Sequence, residues 1–180
     1  MKKRLTIIQM DVHVNDVEYN YNRVQELLVQ SLSESPDIIV LPETWNTGFY
    51  PSKELFNIAD RNGERTKSLL STFAKEHNVN IVGGSVAVAK NDVVFNTSYA
   101  YNREGKLVGE YSKMHGFSPA KEDQYFAGGT NTTHFELDGI PCSTVICYDI
   151  RFPELVRMAA LPNTELLFVP AQWPTMRLRH

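Results

Sequence analysis

Three side chains far apart in the chain carry the chemistry of acyl transfer: Glu43 in LPETW, Lys113 in YSKMH and Cys147 in VICYD. A thiolate is the strongest nucleophile among the standard side chains, a carboxylate can take the thiol proton, and an ammonium both favours the thiolate and stabilises an oxyanion. Together they make a hydrolase. Singly, each has an ordinary reading: a cysteine as a small buried hydrophobe, a lysine as a solvated strand-end charge, a glutamate as a loop carboxylate or helix-start residue. Cys142, inside a strand, fits the ordinary reading better than Cys147 does. His115, two residues after Lys113, offers a different pairing, a Cys-His acyltransferase or thioesterase, against which stands a structural histidine hydrogen-bonded within its own loop.

The elements that must position these groups alternate. Residues 4–10 read as a strand, and 18–32 carry Val24, Leu27, Leu28 and Leu32 at helical spacing until Ser35-Pro36 breaks the pattern. Residues 37–41 (DIIVL) form a continuous apolar run typical of a strand covered on both faces, and 63–77 carry Leu69, Leu70, Phe73 and Ala74 as a second helix stripe. Strands are expected at 79–89 and 93–101 with a turn at Asn91-Asp92, then a hairpin at 102–105 into 106–112. A loop from His115 to about Thr132, long enough to be functional, precedes Asp138-Gly139, a strand ending at Cys147, a Pro-initiated helix at 153–160 and a buried strand at 165–169. The expected sheet is mixed. Glu43, Lys113 and Cys147 then all follow strands, and ligands of α/β sheets bind beyond strand ends.

Composition narrows the partners. The chain has 180 residues, 42% hydrophobic and 22% charged, with a net charge of −3 and no Lys/Arg run, so it lacks the clustered positive charge that nucleic acid or an anionic membrane surface demands. A small-molecule or protein partner is expected. No apolar stretch reaches the roughly 20 residues of a membrane span, and the apolar segment after Met1-Lys2-Lys3-Arg4 is too short for a signal-peptide core. A cytoplasmic location is the expectation. The two cysteines, Cys142 and Cys147, form neither a disulfide framework nor a zinc motif, and their odd separation along an extended segment points them to opposite faces.

The stretches LPETWNTGF, YSKMHGF and ICYDIRFPEL, in this order and at these separations, resemble the carbon-nitrogen hydrolase (nitrilase) superfamily. FVPAQWP at 168–174 resembles a further strand and substrate loop, and the likeness runs from Ile7 to the end of the chain. Among subgroups it is most similar to the ω-amidase-like branch, amidases acting on small linear acid amides. The resemblance implies an α/β fold, an α-β-β-α sandwich with mixed sheets, and a Glu-Lys-Cys triad. By it, Cys147 attacks the amide carbon, Glu43 is the general base and Lys113 contacts the tetrahedral intermediate. Glu122, in KEDQYFAGG, matches a further glutamate that orients substrate and lysine, although Glu110 and Asp123 lie near. The backbone N–H of Tyr148 is a second oxyanion donor. Arg151 is either a salt-bridge partner of Glu154 or Asp149 or the guanidinium that clamps a substrate carboxylate. Phe117 and Trp173 are either core aromatics or pocket walls. No metal or organic cofactor is implied, and metal-ligand spacings are absent. The expected partners are a small amide substrate and a second copy packed through helices as a homodimer.

Residues 1–180 read as one such domain lacking its C-terminal third, with the end, TMRLRH, read as cut within an element. That leaves a rival from another class: an inactive homologue that acts as an interaction module through an uncovered sheet.

Overall fold

The apolar run at 37–41 explains how the layers form. In the computed structural model, which describes residues 2–161 and 163–173, every residue of the strand Ile38–Val40 is buried. Side chains alternate along a strand, so Ile38 and Val40 face one layer while Ile39 and Leu41 face the opposite one, and both sides are covered.

In chain order the first half comprises β1 (Leu5–Ile7), α1 (Val17–Ser31), β2 (Ile38–Val40), α2 (Leu55–Ile58), β3 (Asp60–Arg61), α3 (Glu64–His77), β4 (Asn80–Val82) and β5 (Val86–Lys90). The second half comprises β6 (Val93–Tyr101), β7 (Leu107–Ser112), α4 (Glu122–Tyr125), β8 (His134–Leu137), β9 (Ile140–Thr144), α5 (Pro153–Ala160) and β10 (Leu166–Phe168). The larger sheet runs β1-β2-β4-β6-β5-β3, with β7 also paired to β6. Its β1, β2 and β4 are parallel, whereas β6 is antiparallel to β4, β5 and β7. A smaller sheet, β10-β9-β8, is likewise mixed.

The two sheets face each other through Ile38, Val40, Val82 and Ala100 on one side and Phe135, Leu137, Cys142 and Phe168 on the other. On its outer face the larger sheet buries Ile39, Leu41 and Ile81 against Tyr21, Val24 and Leu28 of α1 and Leu70, Phe73 and Ala74 of α3. Leu155 and Ala159 of α5 pack with Val145, Leu167 and Val169 outside the smaller sheet. The layering is α-β-β-α. Asp16 caps α1, its carboxylate accepting from Tyr19 N.

Several boundaries differ from the sequence reading. Residues 79–89 are two strands, because Gly83-Gly84-Ser85 leave the ladder between β4 and β5. Cys147 does not close a strand: β9 ends at Thr144, and Cys147 opens a 3-10 turn, Cys147–Arg151, with a left-handed φ of 46°. Residues 115–132 are not an uninterrupted loop, since they hold a 3-10 turn at Ser118–Ala120 and the single turn of α4. The short α2 and β3 carry no periodicity long enough to read. The segment TMRLRH lies outside the described residues.

The break at Gly83-Gly84-Ser85 is a socket. Gly84 has φ +61°, and a Cβ there would sit 1.9 Å from the carbonyl oxygen of Pro42, next to Glu43. Gly84→Ala is therefore expected to lower stability by about 3 kcal/mol or more in urea unfolding. Gly139→Ala, at φ +79° with nothing within 4 Å of the added carbon, is expected to cost only about 1 kcal/mol. Equal losses in the two variants would show that close approach at 84 is not what the backbone requires.

Candidate active site

Glu43 is held from both sides. Downstream of β2, residues 44–46 zip onto 83–87: Thr44 N donates to Ser85 Oγ (3.0 Å), Trp45 N to Ser85 O (3.1 Å) and Trp45 Nε1 to Gly83 O (2.9 Å). Asn46 Nδ2 donates to Ala87 O (3.1 Å) and Asn46 Oδ1 accepts from Ala87 N (2.8 Å). These bonds replace the strand pairing that the break gives up, and they fix the carboxylate in a site where it is fully buried.

At that carboxylate three segments meet. Lys113, just past β7, donates from Nζ to Glu43 Oε1 at 2.8 Å and to Glu122 Oε2 at 2.7 Å. Glu43 Oε1 also accepts from Asn96 Nδ2 (3.1 Å), and Oε2 accepts from Gln172 N (3.0 Å). Glu122 Oε2 takes a further bond from Phe117 N at 2.6 Å, closing the 115–132 segment over the lysine. The Cys147 thiol lies near enough to the Glu43 carboxylate for each group to perturb the ionisation of the other. Glu43, Lys113, Glu122 and Cys147 are thus together, all buried. Glu110 and Asp123, the neighbours that competed for the role of Glu122, are exposed.

The electrostatics follow from burial. Desolvation raises the Glu43 pKa, Lys113 opposes it and the Glu122 charge adds to it. For Lys113, desolvation pulls downward, but Glu43 and Glu122 together outweigh it and hold the ammonium charged. Burial pushes the Cys147 thiol well up, the Glu43 charge pushes it further, and Lys113 only partly offsets both. This corrects one expectation: the lysine does not make a resting thiolate, because two negative neighbours and a dry site outweigh one positive one. Sulfur rests as the thiol, with a carboxylate beside it.

Cys147 owes its position to Asp149. That carboxylate, fully buried, accepts from Ile146 N (3.1 Å) and Tyr111 Oη (2.7 Å) on Oδ2 and from His115 N (2.9 Å) on Oδ1, while Cys147 N donates to Pro170 O (2.9 Å). The chain is forced off the ladder and around a left-handed residue that turns the sulfur toward Glu43. His115 Nδ1 also lies 2.9 Å from Asp149 Oδ1, and its ring stacks on Phe152 with centroids 3.6 Å apart. It is a structural histidine, but its partner is the turn after Cys147 and not, as expected, its own loop.

Cys147 opens into a cavity of about 530 Å³ walled by Phe49, Phe117, Tyr148 and Trp173, with Arg151 and Gln172 also lining it. Phe117 and Trp173 are therefore pocket walls. Asp149 is spent on the turn, and Arg151 forms no ion pair with any described residue, which removes the salt-bridge reading. Sequence reasoning missed Asn96, Phe49, Gln172 and the part played by Asp149. Asn96, a polar residue where strands rarely carry one, was the one available signal.

A buried carboxylate, ammonium and thiol meeting beside a pocket of a four-layered α/β sandwich define a thiol-dependent hydrolase. The chain belongs to the carbon-nitrogen hydrolase family, whose model matches residues 4–179. It is 41% identical to 2-oxoglutaramate amidase of Bacillus subtilis (strain 168) over 180 residues, all of this chain and 69% of that protein. It is 34% identical to "Hydrolase in agr operon" of Staphylococcus aureus, over 98% of this chain and 68% of the relative. Among solved structures, XC1258 from Xanthomonas campestris, a CN-hydrolase superfamily protein with an arsenic adduct in its active site, superposes with a TM-score of 0.84 at 28% identity, covering 97% of this chain and 66% of that one. The chain spans about two thirds of the length of the relatives it matches.

Asp149→Asn keeps the volume but turns one acceptor into a donor facing donors. It is expected to lower stability by about 1–3 kcal/mol and to slow alkylation of Cys147 by a small amide-bearing electrophile. Unchanged labelling would mean that the turn holds its shape without this carboxylate.

Proposed function

We propose that this chain hydrolyses the amide of a small linear acid amide through a Cys147 thioester, releasing ammonia. The observation that carries the reading is the Lys113 ammonium held between Glu43 and Glu122 beside the Cys147 thiol. Glu43 takes the thiol proton as sulfur attacks the amide carbon, and Lys113, with the backbone N–H of Tyr148, stabilises the oxyanion. The proton passes to the leaving nitrogen and ammonia departs. Water, activated by the same carboxylate, then hydrolyses the thioester. Glu122 keeps the lysine in place.

Arg151, free of ion pairs with the described residues, is the group available for a carboxylate at the far end of the substrate, which suits an ω-amide such as the one named for the Bacillus relative. Aromatic walls leave room for a short linear acyl chain. We include in this reading a homodimer, supported by Ile150, Met158 and Leu161, large apolar side chains exposed at 54%, 55% and 63%. We also include a reducing, cytoplasmic setting, supported by two free cysteines. No helix among the described residues is long and apolar enough to cross a membrane.

Cys147→Ala is expected to abolish ammonia release from ω-amides while the circular dichroism spectrum is retained; a fully active variant rejects the nucleophile. Lys113→Ala is expected to lose roughly 10²–10³ in kcat, as for an oxyanion donor, and His115→Ala much less. The reverse order would favour a Cys-His enzyme. Arg151→Gln is expected to raise KM for amides bearing a distal carboxylate and to leave KM for neutral amides of the same length unchanged.

The base must be ionised to act, and burial raises its pKa. The acid limb of kcat/KM is therefore expected above the ordinary carboxylate range, activity falling as pH drops through it. A limb at ordinary carboxylate values would show that Lys113 outweighs burial.

A further inference from the structure

A second cavity, of about 170 Å³, shares no lining residue with the one that holds Cys147, yet Lys113, Glu122 and Asn96 all line it. It reaches the charged cluster from another direction. Asn96 is 2% exposed; its Nδ2 is committed to Glu43, and its Oδ1 is buried with no hydrogen-bond partner. An orphan acceptor of this kind is rare and points to a donor that binds there. Glu122 directs both of its hydrogen bonds through Oε2, leaving Oε1 to accept from whatever enters. The cluster sets two carboxylates, Glu43 and Glu122, against one ammonium, so it favours a small cation over a neutral donor. Phe126 and Ala127 give the cavity an apolar wall, and its volume suits a guest a few water molecules in size.

We propose that this cavity binds the ammonium that amide hydrolysis releases, held by Asn96 Oδ1 and the Glu122 carboxylate next to Lys113. The proposal rests on the amidase reading for the source of its ligand. In acylation the C–S bond forms as the C–N bond breaks, and the nitrogen leaves as ammonia with the thiol's proton, relayed by Glu43. In deacylation water supplies the oxygen, the thiol is restored, and the proton shed by the product acid converts ammonia to ammonium. Amide and water thus become carboxylate and ammonium. A cation bound here also weakens Glu43 as a base, so ammonium acts as a product inhibitor without entering the acyl pocket.

The test separates site from activity. Ammonium chloride is titrated into the isotope-labelled Cys147→Ala chain while the Asn96 side-chain amide and Phe117 backbone amide resonances are followed, with sodium and tetramethylammonium chloride at equal ionic strength as controls. Saturable shifts specific to ammonium are expected, and Ala127→Leu, which fills the cavity, is expected to weaken them roughly tenfold or more. Ala127→Val gives a smaller filling if the leucine variant does not fold. Equal shifts with sodium, or shifts that survive both fillings, overturn the site. In the unaltered chain, ammonium is expected to slow ω-amide turnover more than tetramethylammonium does, and insensitivity to ammonium overturns the inhibitory role. Turnover without ammonium-specific shifts overturns the site and leaves the amidase standing; shifts without turnover of any amide support the site and remove the amidase.

Discussion

A lysine ammonium buried between two carboxylates is the constraint around which the rest is arranged. Each ion loses several kcal/mol of hydration on burial, and mutual attraction repays this only if the geometry is good and the remaining lone pairs are satisfied. Here Asn96 Nδ2, Gln172 N and Phe117 N donate to the two carboxylates, from three separate segments. The ladder bond from Lys113 N to Asn96 O at 2.8 Å fixes the origin of the lysine side chain. The larger sheet, the segment after Phe168 and the closing segment over α4 are therefore tied at one point. Removing Lys113 leaves two buried carboxylates without their shared partner, whereas removing either carboxylate leaves the lysine paired with the other.

The imbalance within that cluster accounts for its chemistry. With two negative groups and one positive, the site holds an excess of negative charge, and the proton it would take is the thiol's. Burial raises both Glu43 and Cys147, so at rest neither an exposed thiolate nor a weak base is present. In the proposed reaction an acyl carbon comes within reach of sulfur, and charge then moves onto an oxygen that Lys113 would meet.

What could be read from residue order alone was whatever depends on local pattern. The helix over Glu64–His77, the hairpin at Asn91-Asp92, the turn at Asp138-Gly139 and the Pro-initiated α5 follow from apolar spacing and from residues that tolerate positive φ, and they lie where those patterns end. Glu43, Lys113 and Cys147 were legible because three motifs carry them, and Glu122 only from its place in KEDQYFAGG, with Glu110 and Asp123 competing. Contacts set only by the third dimension were not. Gly83-Gly84-Ser85 looks like an interruption of little consequence until the 44–46 segment is seen seated in it, and Asp149 looks like a partner for Arg151 until Tyr111 and His115 converge on it from 38 and 34 residues away. Propensity sees neither, because in each case the partner is remote in sequence.

Left-handed residues other than glycine serve two ends: some, such as Asn62, Asn91 and Asp138, make turns away from the site, and others lie within it. Thr44 next to the base, Lys121 next to Glu122 and Cys147 itself all adopt left-handed φ without being glycine. Each position costs conformational energy that a strand or helix would not, and each persists because hydrogen bonds on both sides over-determine it. Regular strands deliver the chain to the edge of the sheet; left-handed residues then turn Glu43, Glu122 and Cys147 out of the ladder direction toward Lys113. A smoother backbone would pair more hydrogen bonds within the sheets and would leave Glu43, Lys113 and Cys147 pointing along separate strands. Irregularity at these positions is the means by which an ordinary α/β sandwich brings a base, a cation and a sulfur to one place.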